Sequence, residues 1–276
     1  MNRAKIIVET SPYWHYTIDY MMSSIEAAGF SAIELWTAAP HYCFADAPEA
    51  MKGRRAEICD CAKAHGLTIP VFSPEQMVKY PWNIASPDPY MEKKSMEIVS
   101  SYIKDAAEFG ADTIRIGTGW QHLDCSSEQN RQRSIANFRE LAQQAAEAGL
   151  TVIAGTSGRQ IGSFARDLPS LKAYLEEAGM ENVKAAVTLP ELREAGMSYV
   201  SCRDYFEGKL GHLYLADTGG TVPGSGSADA EAFVAECDKE GYEGRLSLQI
   251  SFRDCILTPD RWIFESAAWI NEMKKF

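Results

Sequence analysis

The polar side chains best suited to chemistry stand at the ends of two predicted strands in the last quarter of the chain. Segment 212–216 (HLYLA) alternates leucines with His212 and Tyr214, and segment 245–250 (RLSLQI) alternates apolar residues with Ser247 and Gln249. In a parallel barrel, the C-terminal ends of neighbouring strands carry the functional groups. A phenol and an amide at these ends would contact a ligand, and the Tyr214 phenol could also transfer a proton.

Two further polar side chains each have a functional and a structural interpretation. His41 follows a predicted strand end, where it could hydrogen-bond a ligand hydroxyl or be satisfied by the backbone of its own loop. Arg115 occupies an inward position of the fourth predicted strand, where it could receive a carboxylate or a phosphate. The alternative for Arg115, which we favour, is a buried ion pair with Glu34 of the second strand.

Three tryptophans follow the predicted second, third and fourth strands. Trp36, Trp82 and Trp120 could stack on a ligand ring, or they could pack beneath the loops. Trp82 belongs to the longest predicted loop, 72–89, which contains four prolines and three aromatic residues. This composition predicts an ordered lid or wall, and the alternative is a proline-rich turn that only reaches the next helix.

Eight strand-and-helix repeats must position these residues. The predicted strands are Ile6–Glu9, Ala32–Trp36, Thr68–Phe72, Thr113–Gly117, Thr151–Gly155, Val183–Thr188, His212–Ala216 and Leu246–Ile250. The predicted helices are 17–28, 47–65, 89–109, 127–148, 168–178, 192–204, 228–240 and 259–274. Glycines follow most of these helices, and glycine readily adopts the left-handed conformation that ends a helix.

This alternation predicts an α/β fold, a single (β/α)8 TIM barrel. An open doubly wound sheet is the alternative, but no G-x-G-x-x-G follows the first strand. Because no long linker or low-complexity segment interrupts the repeats, we expect residues 1–276 to form one domain.

The composition excludes several classes of partner. A net charge of −11 and a pI near 5.0 argue against nucleic acid or an anionic membrane. No run of residues approaches the about 18 apolar residues of a membrane span. The seven dispersed cysteines form no disulfide framework, which indicates a cytoplasmic location. Cys59 and Cys61 lie in a predicted helix without a second cysteine pair, so we interpret them as helix thiols and not as zinc ligands.

The order and spacing of several short motifs resemble a known family. The motifs are IELW (33–36) followed by PH (40–41), SPE (73–75) with YPWN (80–83), GHLY (211–214), PGSG (223–226) and GYEG (241–244). Together they resemble the sugar phosphate isomerase/epimerase family of xylose-isomerase-like barrels, with spacing nearest to its fructoselysine 3-epimerase and ketose 3-epimerase branch. The resemblance covers essentially the whole chain. It implies a TIM barrel, a sugar-type ligand and a place for Glu75 in the pocket wall.

The resemblance also implies a metal site, from which this sequence departs. Family members hold one divalent cation with Glu, Asp, His and Glu at the ends of strands 5 to 8, and the two glutamates exchange a carbon-bound proton. The matching positions here are Gly155, Thr188, Tyr214 and Gln249, which are poor ligands for a hard divalent ion. Residues 151–166 contain no carboxylate, so no shift in alignment restores the strand-5 ligand. We therefore predict no metal at these positions and no other cofactor.

Two functions follow from this departure. We expect a divergent family member that binds a sugar or polyol derivative at the C-terminal mouth without metal-dependent epimerisation, as a binding or regulatory protein, a homo-oligomer or a partner of an active paralogue. The alternative is an active isomerase, epimerase or lyase that transfers protons without a metal or from a rebuilt metal site. The catalytic candidates are Glu191, which stands where a substrate-contacting His is common, and Tyr214, Asp217 and Gln249. The substrate-binding candidates are Trp36, His41, Glu75, Trp82, Arg115, Trp120, Gly155, Thr188 and His212.

The glycines near the seventh strand have two interpretations. Segments 217–220 (DTGG) and 223–226 (PGSG) could form a nest of backbone amides that binds an anion. In the family that this chain resembles, the second turn is common without phosphate contact. A plain turn is therefore favoured.

Overall fold

The computed structural model describes residues 5–44, 48–76, 82–157, 162–250 and 253–273. Within these ranges the strands are β1 Ile6–Glu9, β2 Ala32–Thr37, β3 Thr68–Pro74, β4 Thr113–Arg115, β5 Thr151–Gly155, β6 Val183–Thr188, β7 Leu210–Leu215 and β8 Leu246–Leu248. They are hydrogen-bonded in chain order, and β8 pairs with β1 to close the sheet. The predicted closed parallel TIM barrel is confirmed.

Helices alternate with the strands. They are α1 Ile18–Ala27, α2 Pro48–Ala64, α3 Pro89–Glu108, α4 Ser127–Glu147, α5 Leu168–Ala178, α6 Leu189–Glu194, α7 Tyr199–Tyr205, α8 Ala230–Lys239 and α9 Pro259–Glu272. The prediction of one helix at 192–204 is wrong, because the chain turns at Gly196 with a φ of 66°. Ser198 then starts α7 with a reciprocal capping box to Ser201.

By the proximity of their Cα atoms, the residues divide into two compact units. Unit 1 comprises Met1–Pro70 and Val187–Phe276, and unit 2 comprises Val71–Ala186. That residues 1–276 form a single domain therefore stays a prediction.

In unit 1, the strand register gathers polar side chains on one face of the sheet. Glu9 of β1 lies opposite Glu34 of β2, and Ile7 lies opposite Ser247 of β8. Tyr214 of β7 also lies opposite Ser247. Because successive side chains of a strand point to opposite faces, polar positions of β2, β7 and β8 face one another.

In unit 2, β3, β4, β5 and β6 continue the parallel pairing. Val71 lies opposite Thr113, and Ile114 lies opposite Val152. At the C-terminal end of β5, Gly155 lies opposite Ala186 of β6. This pairing places Gly155 beside the carbonyl groups of β6.

Candidate functional site

Unit 1 contains four buried polar side chains in mutual contact, which we call the Glu34 network: Glu34, His212, Tyr214 and Ser247. The Tyr214 hydroxyl donates to Glu34 Oε1 at 2.9 Å, and the Ser247 hydroxyl donates to Glu34 Oε2 at 2.5 Å. His212 Nε2 lies 2.9 Å from Ser247 Oγ and 3.3 Å from Glu34 Oε2. Each of the four residues is at most 2% exposed. The structure therefore brings together the predicted site residues His212 and Tyr214, but around a carboxylate.

The hydrogen bonds of this network offset the unfavourable free energy of burying Glu34. A carboxylate removed from water is strongly destabilising unless hydrogen bonds compensate it, and hydroxyl donors to a charged oxygen are among the strongest. Tyr214 supplies one of these donors and Ser247 another. Sequence reasoning did not single out Ser247. The available signal was its place on the same strand face as Gln249.

Thr188 and Glu191 hold each other at the start of α6. The Thr188 hydroxyl accepts from the Glu191 amide at 3.2 Å, and Glu191 Oε2 accepts from the Thr188 amide at 3.0 Å and from its hydroxyl at 2.9 Å. This is a capping box, in which two side chains satisfy amides that the helix leaves open. The observed contacts of the Glu191 carboxylate are thus structural, and its catalytic role stays a prediction.

Asp217 organises the loop between β7 and α8. Its carboxylate accepts from the amides of Thr218 at 2.8 Å, Gly224 at 2.9 Å and Ala228 at 2.9 Å, and it is fully buried. Burial by itself would raise the pKa of the Asp217 carboxyl, but backbone amides, that of Gly226 included, outweigh burial and lower the pKa. The amides around the two glycine segments thus bond the Asp217 side chain of the same loop, which supports the favoured interpretation of a turn. A carboxylate so occupied is a weak base.

Trp36 and Gln249 keep partial exposure near the ends of β2 and β8. The Trp36 amide donates to Thr10 Oγ at 2.9 Å, and the Trp36 ring meets the edge of Trp14 at 6.1 Å between centroids. The Gln249 amide continues the β7–β8 pairing by donating to the Leu215 carbonyl at 3.1 Å. Hydrogen bonds therefore fix the backbone from which both side chains project.

His41 lies beside a cavity of about 700 Å³ in unit 1. Its Nε2 lies 2.6 Å from the Tyr16 carbonyl oxygen, so Nε2 carries the proton. Its Nδ1 is buried and has no hydrogen-bond partner in the described part of the chain. Burial lowers the pKa of His41, the Tyr16 carbonyl opposes this effect and the Arg54 charge reinforces it. His41 is therefore a neutral side chain with one open acceptor, so both of its predicted interpretations survive.

In unit 2, Arg115 and Gly155 share the space at the end of β5. A Cβ atom on Gly155 would lie 3.1 Å from the Ala186 carbonyl oxygen and 3.6 Å from Arg115 Nη2. The guanidinium thus lies close to where a longer residue at position 155 would project. The predicted ion pair between Arg115 and Glu34 stays a prediction.

Two amide side chains in unit 2 hold the segments around the remaining candidates. Gln76 donates to the Arg115 carbonyl at 2.9 Å and accepts from the Gly117 amide at 3.1 Å. Asn83 donates to the Trp120 carbonyl at 2.9 Å and accepts from its amide at 3.1 Å. Sequence reasoning missed both, although each lies within the predicted loop 72–89.

Three further candidates are half-buried. They are Glu75 and Trp82 of this loop, and Trp120 beyond β4. Residues 77–81, the centre of the predicted lid, lie outside the described residues. The functions of Glu75, Trp82 and Trp120 stay predictions.

Three of the four positions that the resemblance assigns to metal ligands have other contacts or no side chain. Thr188 lies in the α6 cap, the Tyr214 hydroxyl donates a hydrogen bond to Glu34, and Gly155 has no side chain. That no divalent cation binds at these positions stays a prediction. A cluster of three His, Cys, Asp or Glu residues with ligand atoms close enough for one ion occurs once in the described ranges, at Asp19, Cys61 and His65 of unit 1. None of these three is a strand-end residue.

The sequence of the chain, together with its fold, identifies its family. Residues 23–273 match the model of the xylose isomerase-like TIM barrel family, and the chain belongs to that family. No helix among the described residues is long and apolar enough to cross a membrane.

Individual relatives are distant. Fructoselysine 3-epimerase of Shigella flexneri is 23% identical over 241 residues, which are 84% of this chain and 85% of the relative. The solved D-psicose 3-epimerase of Clostridium cellulolyticum H10, with D-tagatose, superimposes with a TM-score of 0.79 at 17% identity and 98% coverage of both chains. The 3-keto-D-glucoside 4-epimerase of E. coli superimposes with a TM-score of 0.77 at 18% identity, covering 97% of this chain and 98% of the other. At these identities the structural likeness shows the fold alone.

Proposed function

We propose that this chain binds a sugar or polyol derivative at the C-terminal ends of its strands and does not catalyse metal-dependent epimerisation. The observation that carries the proposal is the hydrogen bond from Tyr214 to Glu34. The inward Tyr214 hydroxyl near the end of β7 donates a hydrogen bond to a buried carboxyl group, and a neutral phenol is a poor ligand for a hard divalent cation. The commitment of Thr188 to the α6 cap supports the same conclusion for β6.

The half-buried groups near the strand ends of unit 1 suit a neutral, hydroxyl-rich ligand. Trp36 offers an aromatic surface, and Gln249 offers an amide with both donors and an acceptor. The acidic candidates are occupied, Asp217 by loop amides and Glu191 by the α6 cap. We infer that this site recognises hydroxyl groups, because the carboxylates of its acidic candidates are already hydrogen-bonded within the protein. We propose that the protein binds this ligand alone, as a homo-oligomer or as the partner of an active paralogue.

The relatives and the proposed sugar or polyol class suggest the ligands to test. D-psicose, D-tagatose, fructoselysine and sorbitol, as a polyol, should be titrated while thermal stability and tryptophan fluorescence are followed. We expect at least one of these classes to stabilise the protein. Gln249→Ala should reduce the stabilisation several-fold, whereas Gln143→Ala, at an exposed position of α4, should retain it. The proposal fails if no class stabilises the wild-type protein.

A second measurement separates binding from chemistry. The bound ketose should be incubated in deuterium oxide with and without Mn²⁺ or Mg²⁺, and its carbon-bound hydrogens followed by NMR. We expect no exchange and no epimer. Exchange above the protein-free rate would instead support the alternative, an active member with metal-independent or rebuilt acid–base chemistry.

A further inference from the structure

Three side chains that can ligate a metal converge where α1 meets α2, away from the strand ends. Cys61 lies in the last turn of α2, and His65 directly follows the helix, where its amide donates to the Cys61 carbonyl at 3.1 Å. Asp19 comes from the first turn of α1. One ligand atom from each of the three lies within 4.8 Å of the others.

The surroundings of His65 allow two protonation states. Its Nδ1 lies 2.7 Å from Glu26 Oε2, and its Nε2 lies 3.2 Å from Asp19 Oδ1. A neutral imidazole carries one N–H and can donate to only one of these carboxylates. Either a charged imidazolium donates to both, or Nδ1–H donates to Glu26 while the Nε2 lone pair and Asp19 share a cation.

We propose that Asp19, Cys61 and His65 bind one Zn²⁺-like cation, with a solvent molecule as the fourth ligand. Carboxylate, thiolate and imidazole are the donors that zinc takes, with bonds of about 2.0–2.3 Å. Such bonds put neighbouring ligand atoms of a tetrahedral ion about 3.3–3.8 Å apart. The 3.2 Å between Asp19 and His65 needs only a small adjustment to reach that range. The thiolate favours zinc over magnesium or calcium.

Glu26 would position His65 for this role. A ligating histidine ordinarily donates its second N–H to a carboxylate, which fixes the tautomer and the ring orientation. The Asp19 side chain is 82% exposed, so an ion can approach from solvent. Asp19 and Cys61 also line the 700 Å³ cavity, together with Glu57 and Asp60.

The charges that face the cluster attract a cation. α1 contributes Asp19 and Glu26, and α2 contributes Glu57 and Asp60 against Arg54. Arg54 is itself paired with Glu57 at 2.6 Å. The local balance is therefore negative.

Zinc is bound by the thiolate form of cysteine, so the Cys61 thiol releases its proton to solvent when the ion binds.

Cobalt is the probe that reports these ligands. Untagged, reduced, full-length protein should be titrated with Co²⁺, followed by displacement with Zn²⁺. We expect one Co²⁺ per chain, a thiolate-to-cobalt absorption in the near ultraviolet and visible bands of tetrahedral intensity. Zn²⁺ should abolish both absorptions.

Variants on the same two helices decide the assignment. Cys61→Ser should remove the near-ultraviolet absorption, while Cys59→Ser, two residues away on α2, should retain it. Glu26→Gln should keep the absorption but weaken Zn²⁺ binding about 10- to 100-fold, as loss of a positioning carboxylate does elsewhere. Absence of the thiolate absorption in folded wild-type protein at saturating Co²⁺ overturns the site. Equal Zn²⁺ affinity of the wild type and Cys61→Ser overturns it as well.

Discussion

At the scale of single residues, two hydroxyl groups satisfy the hydrogen-bonding needs of the buried Glu34 side chain. This carboxylate is fully buried and accepts from Tyr214 and Ser247 within 2.9 Å. Removing one donor leaves most of the packing unchanged. It destabilises the folded state, because a buried carboxyl oxygen loses a hydrogen bond.

Tyr214→Phe tests this role directly. We expect the free energy of unfolding to fall by about 1–3 kcal/mol, because the buried Glu34 carboxyl group loses a hydrogen-bond donor. Urea denaturation measures the change. Tyr90→Phe is the matched control at a tyrosine that is 72% exposed, and it should stay within about 0.5 kcal/mol of wild type. Equal effects of the two substitutions would show that the Tyr214 hydroxyl contributes nothing to stability.

At the scale of elements, short-range hydrogen bonds from acidic side chains start a helix and shape a loop. Glu191 reaches back three residues to cap α6, and Asp217 gathers amides up to eleven residues ahead of it. Both residues were predicted as catalytic acids or bases because a carboxylate near a strand end has the same appearance in sequence whichever role it plays.

Glu191→Ala should destabilise the start of α6. The loss of a capping interaction costs about 0.5–2 kcal/mol of unfolding free energy. Glu194→Ala, an exposed glutamate of the same helix, provides the comparison and should cost less. If Glu191→Ala leaves stability unchanged yet abolishes a measured turnover, its predicted catalytic role would be restored.

Asp217→Asn should change how stability depends on pH. The folded-state pKa of Asp217 is lowered below its ordinary value of 3.8. Its stabilising contribution is therefore complete above the unfolded-state pKa and disappears as the pH falls through the folded-state pKa. The difference in unfolding free energy between wild type and Asp217→Asn should be constant from about pH 7 to pH 5 and should shrink below about pH 4. A difference that grows on acidification would contradict the assignment.

At the scale of the whole molecule, the closed barrel determines where strand-end residues project. If only the side chains and not the scaffold have diverged, then the combined changes Gly155→Glu, Thr188→Asp, Tyr214→His and Gln249→Glu should create Mn²⁺ affinity. Calorimetry on the folded variant and on the wild type measures it. Aspartate at position 188 can still cap α6. The harder change is at position 155, where a Cβ lies 3.1 Å from the Ala186 carbonyl.

The matching control is the triple variant that retains Gly155. It should bind Mn²⁺ more weakly than the quadruple variant, because it lacks one carboxylate ligand. No gain over wild type in the folded quadruple variant would mean that these four positions are not equivalent to the ligand positions of the family.

The sequence alone determined the order and type of the elements. Strand alternation and helix-ending glycines are local signals, which can be recognised without knowing the contacts between distant segments. They placed the strands of a closed barrel and the polar faces of β7 and β8. They failed where the local pattern was ambiguous, as at Gly196, which divides a predicted helix in two.

Only the tertiary structure decided which groups meet. Glu34 and Tyr214 are 180 residues apart, and no periodicity encodes their hydrogen bond. From the sequence, Cys61 was interpreted as a helix thiol and His65 had no assigned role. Only the tertiary structure shows that Asp19 of α1 lies beside both. The chemistry of a polar side chain depends on its partners and its burial, and both are set by the packing of segments distant in the chain.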